Sequence, residues 1–409
     1  MRKNPFISLF AASLIAFLPV RAMAQEQTQD TREDTVSVRN RERPEYAPQG
    51  ARLGSFNFNA GLDLAVTSND NLFVSRPELA VDEIYYEATP RASLVSDWSR
   101  HALAIDGAWT ARRHDSETGE DTDSHFLRAT GRLDVSSDTA IHASVRTAHQ
   151  VTPRTDPDVS DTSGAPVEYD RLDRSIGVSQ RFAQFTLRAD AGQSSYDYQR
   201  SQRFRDHDET FVRGRIEAEL SPRTGLVLQA TGDERDYTNT PMLSSNGRLI
   251  LGGLSLSTDL MRGELLLGQF SRDYDDPTIG TVDGLAGSAN VEWYITNLTT
   301  VSFDARRNAE DQVSGTSGQP YVTTEYGARI DHELQRNIIL TAGYRRGERS
   351  YDPLPRRDDY TEYEIGADYL INRHASLTAR YTRDEIDYSR VSIDDRDVDA
   401  VTVGLSLSL

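Results

Sequence analysis

The 409-residue chain contains no cysteine, which excludes disulfide frameworks and thiolate metal sites and suits a protein threaded unfolded through an oxidising periplasm. Its only lysine is Lys3, so the other cations are arginines and histidines. Beyond residue 24 no apolar run approaches the roughly 20 residues a spanning helix needs, and the mean hydropathy is −0.59. Hydropathy alone describes a soluble periplasmic protein. The eight histidines form neither His-x-x-x-His nor His-Glu-x-x-His, the spacings that bring two imidazoles to one metal. No serine, histidine and acid stand out as a hydrolytic set, even around His101 or His114, so no catalytic residue and no cofactor is expected.

What is present starts with a secretion signal. Arg2 and Lys3 precede an apolar run from Phe6 to Val20 and the small-residue triplet Ala22-Met23-Ala24, so residues 1–24 read as a signal peptide cleaved before Gln25. Losing Arg2, Lys3 and Arg21 takes the formal net charge from −19 three units further negative. Residues 25–54 are polar, with a cluster of charges and Pro44 and Pro48. They read as a flexible periplasmic segment that either meets a partner or sits in the lumen of the domain after it.

From residue 55 to 409 the texture changes to period-two alternation. Leu226, Leu228 and Ala230 share one face of an extended segment, and Gln229, Thr231 and Asp233 share the other. Ile338, Leu340, Ala342 and Tyr344 oppose Thr341 and Arg345, and Leu377, Ala379 and Tyr381 oppose Thr378, Arg380 and Thr382. A soluble sandwich gives the same alternation. Three further features favour a barrel. Tight connections such as Ala183-Gln184, Ser221-Pro222-Arg223 and Asn372-Arg373 alternate with long acidic loops at 152–167, 199–208, 238–247, 311–322 and 389–397. Aromatics gather at strand ends: Tyr85, Tyr169, Tyr198, Tyr237, Tyr274, Tyr326, Tyr351, Tyr363 and Tyr388 beside the long loops, and Phe56, Trp98, Phe182, Phe185, Trp293 and Tyr369 beside the short ones. They read as two membrane-interface girdles. The segments number about eighteen, with sixteen as the alternative, and an even count returns both chain ends to the periplasm. The expected fold is therefore an all-β, antiparallel up-and-down transmembrane barrel over 55–409, in the outer membrane of a Gram-negative bacterium. The chain ends in Leu-Ser-Leu, where such barrels usually carry a terminal aromatic for the insertion machinery.

The run Arg43-Pro44-Glu45-Tyr46 with Gly50, then Arg52-Leu53-Gly54-Ser55-Phe56, Ser68-Asn69-Asp70-Asn71-Leu72-Phe73 and Ser96-Asp97-Trp98-Ser99-Arg100-His101, resembles the outer-membrane family called Putative beta-barrel porin 2. The resemblance implies porin-like architecture and, in some members, an association with exopolysaccharide export. It brings no catalytic residues.

If apolar residues face lipid, the alternate charges face the lumen, because an arginine in mid-bilayer costs about 2–4 kcal/mol. That places Arg128, Arg132, Arg188, Asp190, Arg213, Arg215, Glu217, Glu219, Arg329, Asp331, Glu364, Asp368, Arg380 and Asp384 on the inner wall. They are either salt-bridge ladders that stiffen the wall or a charged lining past which a polar solute or a sugar chain moves. Asp156, Asp158 and Asp161 are weak divalent-metal candidates in one long loop. The sequence thus reads as a channel for polar solutes or exopolysaccharide, with a closed structural or adhesive barrel as the alternative. Expected partners are outer-membrane lipid and lipopolysaccharide and the barrel-assembly machinery, with periplasmic export components as a further candidate and no nucleic acid.

Overall fold

A computed structural model describes residues 36–156, 159, 164–314, 317–351, 354–388 and 396–409. The signal peptide at 1–24, and Asp158 and Asp161, lie outside the described residues. A short strand β1 (Ala51–Leu53) precedes β2 (Phe56–Asn69), β3 (Glu83–Ser96), β4 (Ala102–His114), β5 (Thr122–Asp134), β6 (Thr139–Thr152) and β7 (Val167–Phe182). Next come β8 (Phe185–Tyr198), β9 (His207–Ser221), β10 (Thr224–Tyr237), β11 (Ser245–Ser257), β12 (Met261–Tyr274) and β13 (Thr281–Thr296). The last are β14 (Thr299–Ser314), β15 (Ser317–Gln335), β16 (Ile338–Tyr351), β17 (Arg356–Asn372), β18 (Ala375–Tyr388) and β19 (Arg396–Ser408). From β2 onward each strand pairs antiparallel with its chain neighbour, and β19 returns to β2, so 18 strands close into a barrel with no free sheet edge.

The alternation explains the closure. Leu228, Ile250, Leu267, Leu285 and Ile365 lie on the outer face and are more than half exposed, a cost no water-soluble fold would carry around its whole girth. The alternate residues on each strand are mostly buried or half-buried and are linked to one another by side-chain hydrogen bonds and ion pairs. At the short-turn end Phe56 and Trp98 meet edge to face with centroids 5.4 Å apart, and Phe182, Phe185, Trp293 and Tyr369 are exposed on the outer face.

The long-loop end differs from the sequence expectation. Tyr326 and Tyr363 face outward, where Tyr86, Trp109 and Tyr381 join them. Tyr85, Tyr169, Tyr198, Tyr237, Tyr274 and Tyr351 instead share the register face of the inward residues, and the side chain of Tyr388 lies outside the described residues. Nearness to a loop fixes depth. Only parity fixes the face, and a shift of one residue reverses it.

A second difference is the segment 311–322, which the sequence reads as an outer loop. It is largely strand. β14 pairs with β15 as far as Ser314↔Ser317, yet β13 follows β14 only as far as Gly287↔Arg307, and β16 joins β15 only at Val322. The ladder Gly287–Thr296 already supplies the 9–11 residues or so that a tilted strand needs to cross hydrocarbon. Above that height the hairpin leaves the wall and folds inward. Ala309 joins Val227, Leu251, Leu266, Phe270 and Ala286 in a buried apolar cluster, with Val322 packed against it. A Cβ on Gly318 would lie 2.2 Å from Leu243 Cδ1, so glycine permits the close approach of the hairpin to the wholly buried Leu243. On the other side of this mouth, Val74 of the β2–β3 connection packs inward against Tyr360, Ile386 and Val398.

Of the polar segment 25–54, residues 36–54 are described. They cross the short-turn mouth and return to the seam between β19 and β2. There Gly50 N–H donates to Leu409 O at 3.2 Å and Leu409 N–H donates to Ala60 O at 3.0 Å. Gly50 has φ +63°, and a Cβ there would fall 2.4 Å from Phe58 O, so the turn into β1 needs glycine twice over.

Candidate channel lining

The inner wall is organised as clusters of arginine and carboxylate. On β4 and β5, Arg128 donates from both Nε and Nη2 to Asp106, each at 3.0 Å, and Arg132 donates to Asp134 at 2.7 Å. On β8, Arg188 donates to Asp190 at 3.1 Å, and Asp190 stands directly across the ladder from Arg213 on β9. Arg213 lies over the Phe211 ring at 5.1 Å. Arg215 reaches Glu264 on β12 at 2.6 Å and Glu217 at 3.5 Å, while Glu219 ends the row at the short-turn side. Across the barrel, Arg329 lies 3.4 Å from Asp331 and 3.5 Å from Glu364. Arg380 bonds Glu364 and lies 3.8 Å from Asp368. Asp384 stands opposite Glu362 in the β17–β18 ladder. The sequence-derived lining residues therefore share one face and fall into separate clusters. Parallel arginine–carboxylate bonds of this kind are the strong, geometrically demanding ones.

The sequence reading missed several partners. Asp106 completes a pair from the neighbouring strand and Glu264 one from three strands away, and Arg91–Asp63 at 2.7 Å and Arg112–Glu87 at 2.9 Å add two more. It also missed the cations supplied by the segment before the barrel. Val38, 0% exposed, donates its N–H to Thr300 Oγ1 at 3.0 Å. Arg39 bonds Asp331 at 2.7 Å and lies 3.6 Å from Asp368, and Arg41 and Arg43 reach Glu333 at 3.2 and 2.6 Å. Arg336 in the β15–β16 turn holds Glu45 at 3.1 Å. The Glu45 carboxyl lies below its ordinary range, chiefly through its own backbone N–H and then through Arg336. The signal was the spacing Arg39-x-Arg41-x-Arg43.

The third missed element latches the hairpin. Asp311 accepts from Arg235 Nη1 at 2.6 Å and from the hydroxyls of Tyr237 and Tyr274. The same inward rings continue round the wall: His207 stacks on Tyr237 at 4.6 Å and on Tyr196 at 4.3 Å, and Tyr169 stacks on Tyr198 at 4.8 Å. The remaining metal candidate, Asp156, lies 4.0 Å from Arg349, and no group of three or more potential metal ligands occurs among the described residues. His114 Nδ1 lies 3.4 Å from Asp121, and His101 exchanges hydrogen bonds with Asp134.

A closed antiparallel barrel with an apolar outer band, interfacial aromatics and a charged interior defines a porin-like outer-membrane barrel. The chain belongs to the family Putative beta-barrel porin 2, whose profile matches residues 43–409. Among solved structures it is similar to Pseudomonas aeruginosa OccK1 (OpdK), with TM-score 0.47 and 13% identity over 86% of this chain and 98% of that one. A BenF-like porin from Pseudomonas fluorescens Pf-5 gives TM-score 0.49 and 12% identity over 87% of this chain and 100% of that one. Acinetobacter baumannii OccAB2 gives TM-score 0.49 and 14% identity over 87% of this chain and 99% of that one. No curated protein matches the chain.

Proposed function

We propose that the barrel is a channel for small polar solutes with a preference for anions, its long loops at the cell surface and its short turns in the periplasm. The observation that carries this reading is the order of exposure within the lining pairs. Arg128 is 40% exposed where Asp106 is 9%, Arg188 is 30% where Asp190 is 15%, and Arg329 is 34% where Asp331 is 5%. In these pairs the carboxylate lies against the wall and the guanidinium faces the passage with donors to spare, so a strongly acidic protein offers a passing solute cationic groups. Arg215 and Arg380 are the reverse, buried behind their carboxylates, and serve the wall. Export of a polysaccharide chain has no support from the family match.

The test is the reversal potential across a planar bilayer under a salt gradient. The wild type should favour anions, and Arg128→Ala with Arg329→Ala should move selectivity toward cations while assembly is kept. A conducting barrel whose selectivity ignores both substitutions would defeat the assignment. The second reading, a closed structural barrel, is favoured by the two elements inside the mouths, the segment at 36–50 and the β14–β15 hairpin. It requires a wild type that does not conduct.

A further inference from the structure

The outer face carries a feature that neither channel nor wall explains. Just above the apolar band, on the long-loop side, outward positions are occupied by Arg113, Arg174, Arg248, Arg307, Arg346 and Arg383. Three of these have acids beside them: Arg113 lies 2.9 Å from Asp123, Arg346 lies 3.5 Å from Asp359, and Arg383 lies 2.8 Å from both Glu385 and Asp397. Among the described residues the other three form no ion pair. Arg174 donates to Gln193 at 3.2 Å, Arg307 donates to the Thr324 hydroxyl, and Arg248 stands between Gly232 and Ser271 in the two adjoining ladders. The nearest outward carboxylates by register are Glu234, opposite Asn246, and Asp283, opposite Ser271. An arginine at the edge of hydrocarbon without a carboxylate beside it turns its donors to water and to lipid headgroups.

Arg248 and Arg307 belong to one continuous surface. They sit on β11 and β14, three strand spacings apart and, by register, four residues apart along the strands, or roughly 20 Å. Beneath and between them the cross-strand row runs Leu228, Gly252, Leu267, Gly287, Arg307. Leu267 is 67% exposed, and the glycines on either side of it leave two notches in the apolar band. A Cβ at Gly252 would meet nothing closer than 3.8 Å, and one at Gly287 nothing closer than 3.5 Å, so neither glycine is demanded by packing. Ile250 and Leu285, both largely exposed, border these notches from above, just below the height of Arg248.

We propose that this face of β10–β14 is a seat for a diphosphorylated glycolipid of the surrounding leaflet, with its phosphates on Arg248 and Arg307 and acyl chains laid over the notches at Gly252 and Gly287. Phosphate takes the guanidinium fork through parallel hydrogen bonds, at a depth where headgroup meets hydrocarbon. Ser271 and Gln269, on the outward face of β12 between the two arginines, offer neutral groups to the sugars between the phosphates.

The test uses the purified, folded barrel in zwitterionic detergent, with diphosphoryl lipid A as probe and retention read by native mass spectrometry. Heat-modifiable migration verifies the fold of each variant. At about 1 kcal/mol for each basic group at an anionic membrane surface, Arg248→Gln and Arg307→Gln should each weaken binding roughly fivefold, and together roughly 25-fold. Gly287→Val fills one notch without touching a charge and should also weaken binding, whereas Arg113→Gln should not. Equal retention of lipid A by the double variant and the wild type would overturn the proposal. So would wild-type binding of phosphatidylglycerol, or of inorganic pyrophosphate, as tight as that of lipid A.

Discussion

Replacing Asp311 by alanine should release the β14–β15 hairpin from the lumen and raise conductance. The Asp311 side chain is 0% exposed and lies within 4.0 Å of one cation, Arg235, while two tyrosine hydroxyls donate to its oxygens. Breaking a buried ion pair by removing one partner costs about 3–5 kcal/mol. Here Arg235 keeps Glu209 at 3.0 Å whether or not the hairpin is docked, so the ionic loss is smaller, while its 3.5 Å pair with Glu310, which rides on the hairpin, is a tie the substitution leaves in place. Against that, the Tyr237 and Tyr274 hydroxyls lose an acceptor in a dry site, at about 1–3 kcal/mol each. The wild-type hairpin is also retained by Ala309 in its apolar cluster, which the substitution leaves intact. A net shift of about 3 kcal/mol moves the docked-to-released ratio roughly a hundredfold. Single-channel recording should show a larger conductance level occupied far longer than in the wild type. Asp311→Asn, which loses the charge and keeps an acceptor for the hydroxyls, should fall between the two. An Asp311→Ala barrel that migrates as folded and conducts as the wild type does would refute the reasoning, because the hairpin would then not govern the passage.

Leu228→Arg should cripple assembly by placing a charge in hydrocarbon, a cost of about 2–4 kcal/mol, while Gln229→Arg on the inner face should assemble; heat-modifiable migration distinguishes them, and equal damage would place both on one face. Arg39→Ala with Arg43→Ala should free the segment at 36–50, read as faster protease cleavage within it from the short-turn side, with the barrel intact. The pH dependence of that cleavage has a definite sign. Because the Glu45 carboxyl lies below its ordinary value in the fold, its tie to Arg336 is fully present above the ordinary carboxylate range and is lost as pH falls through the depressed value. Cleavage should therefore quicken in acid, and Glu45→Gln should remove that part of the change.

The barrel and its short turns were legible because lipid imposes a period of two on each strand. Leu226, Leu228 and Ala230 cannot exchange faces with Gln229 and Thr231 without exposing charge to hydrocarbon at Asp233 and beyond. The wall clusters were half legible: the parity of Arg128 or Arg329 follows from the strand, but their partners Asp106 and Glu364 depend on inter-strand register, which one strand's sequence does not contain. The inward tyrosines and the hairpin were not legible. Above the bilayer both faces of a strand are wet, so the alternation that marks parity at Leu228 no longer constrains Tyr169 or Tyr237. The Gly- and Ser-bearing stretch around Gly318 reads as a loop wherever it points. Arg39, Arg41 and Arg43 were visible as charges, but their acceptors lie some 290 residues away in sequence, as in the Arg43–Glu333 pair.

The seam between β19 and β2 differs in kind from every other ladder of the barrel, since all the others join strands consecutive in the chain. Pairing Leu405 with Leu64 or Thr402 with Thr67 brings together residues from opposite ends of the polypeptide, so this is the contact with the largest entropy of closure and the weakest local guidance on register. A slip of one residue there would turn every side chain of β19 to the wrong face. The segment before β1 reads the outcome at two separate places: Gly50 must find Leu409 O at the seam while Arg39 finds Asp331 on β15, well round the wall from β19. Both contacts are made at once in the closed barrel, so the leading segment adds its ion pairs and its seam hydrogen bond to the register in which β19 meets β2.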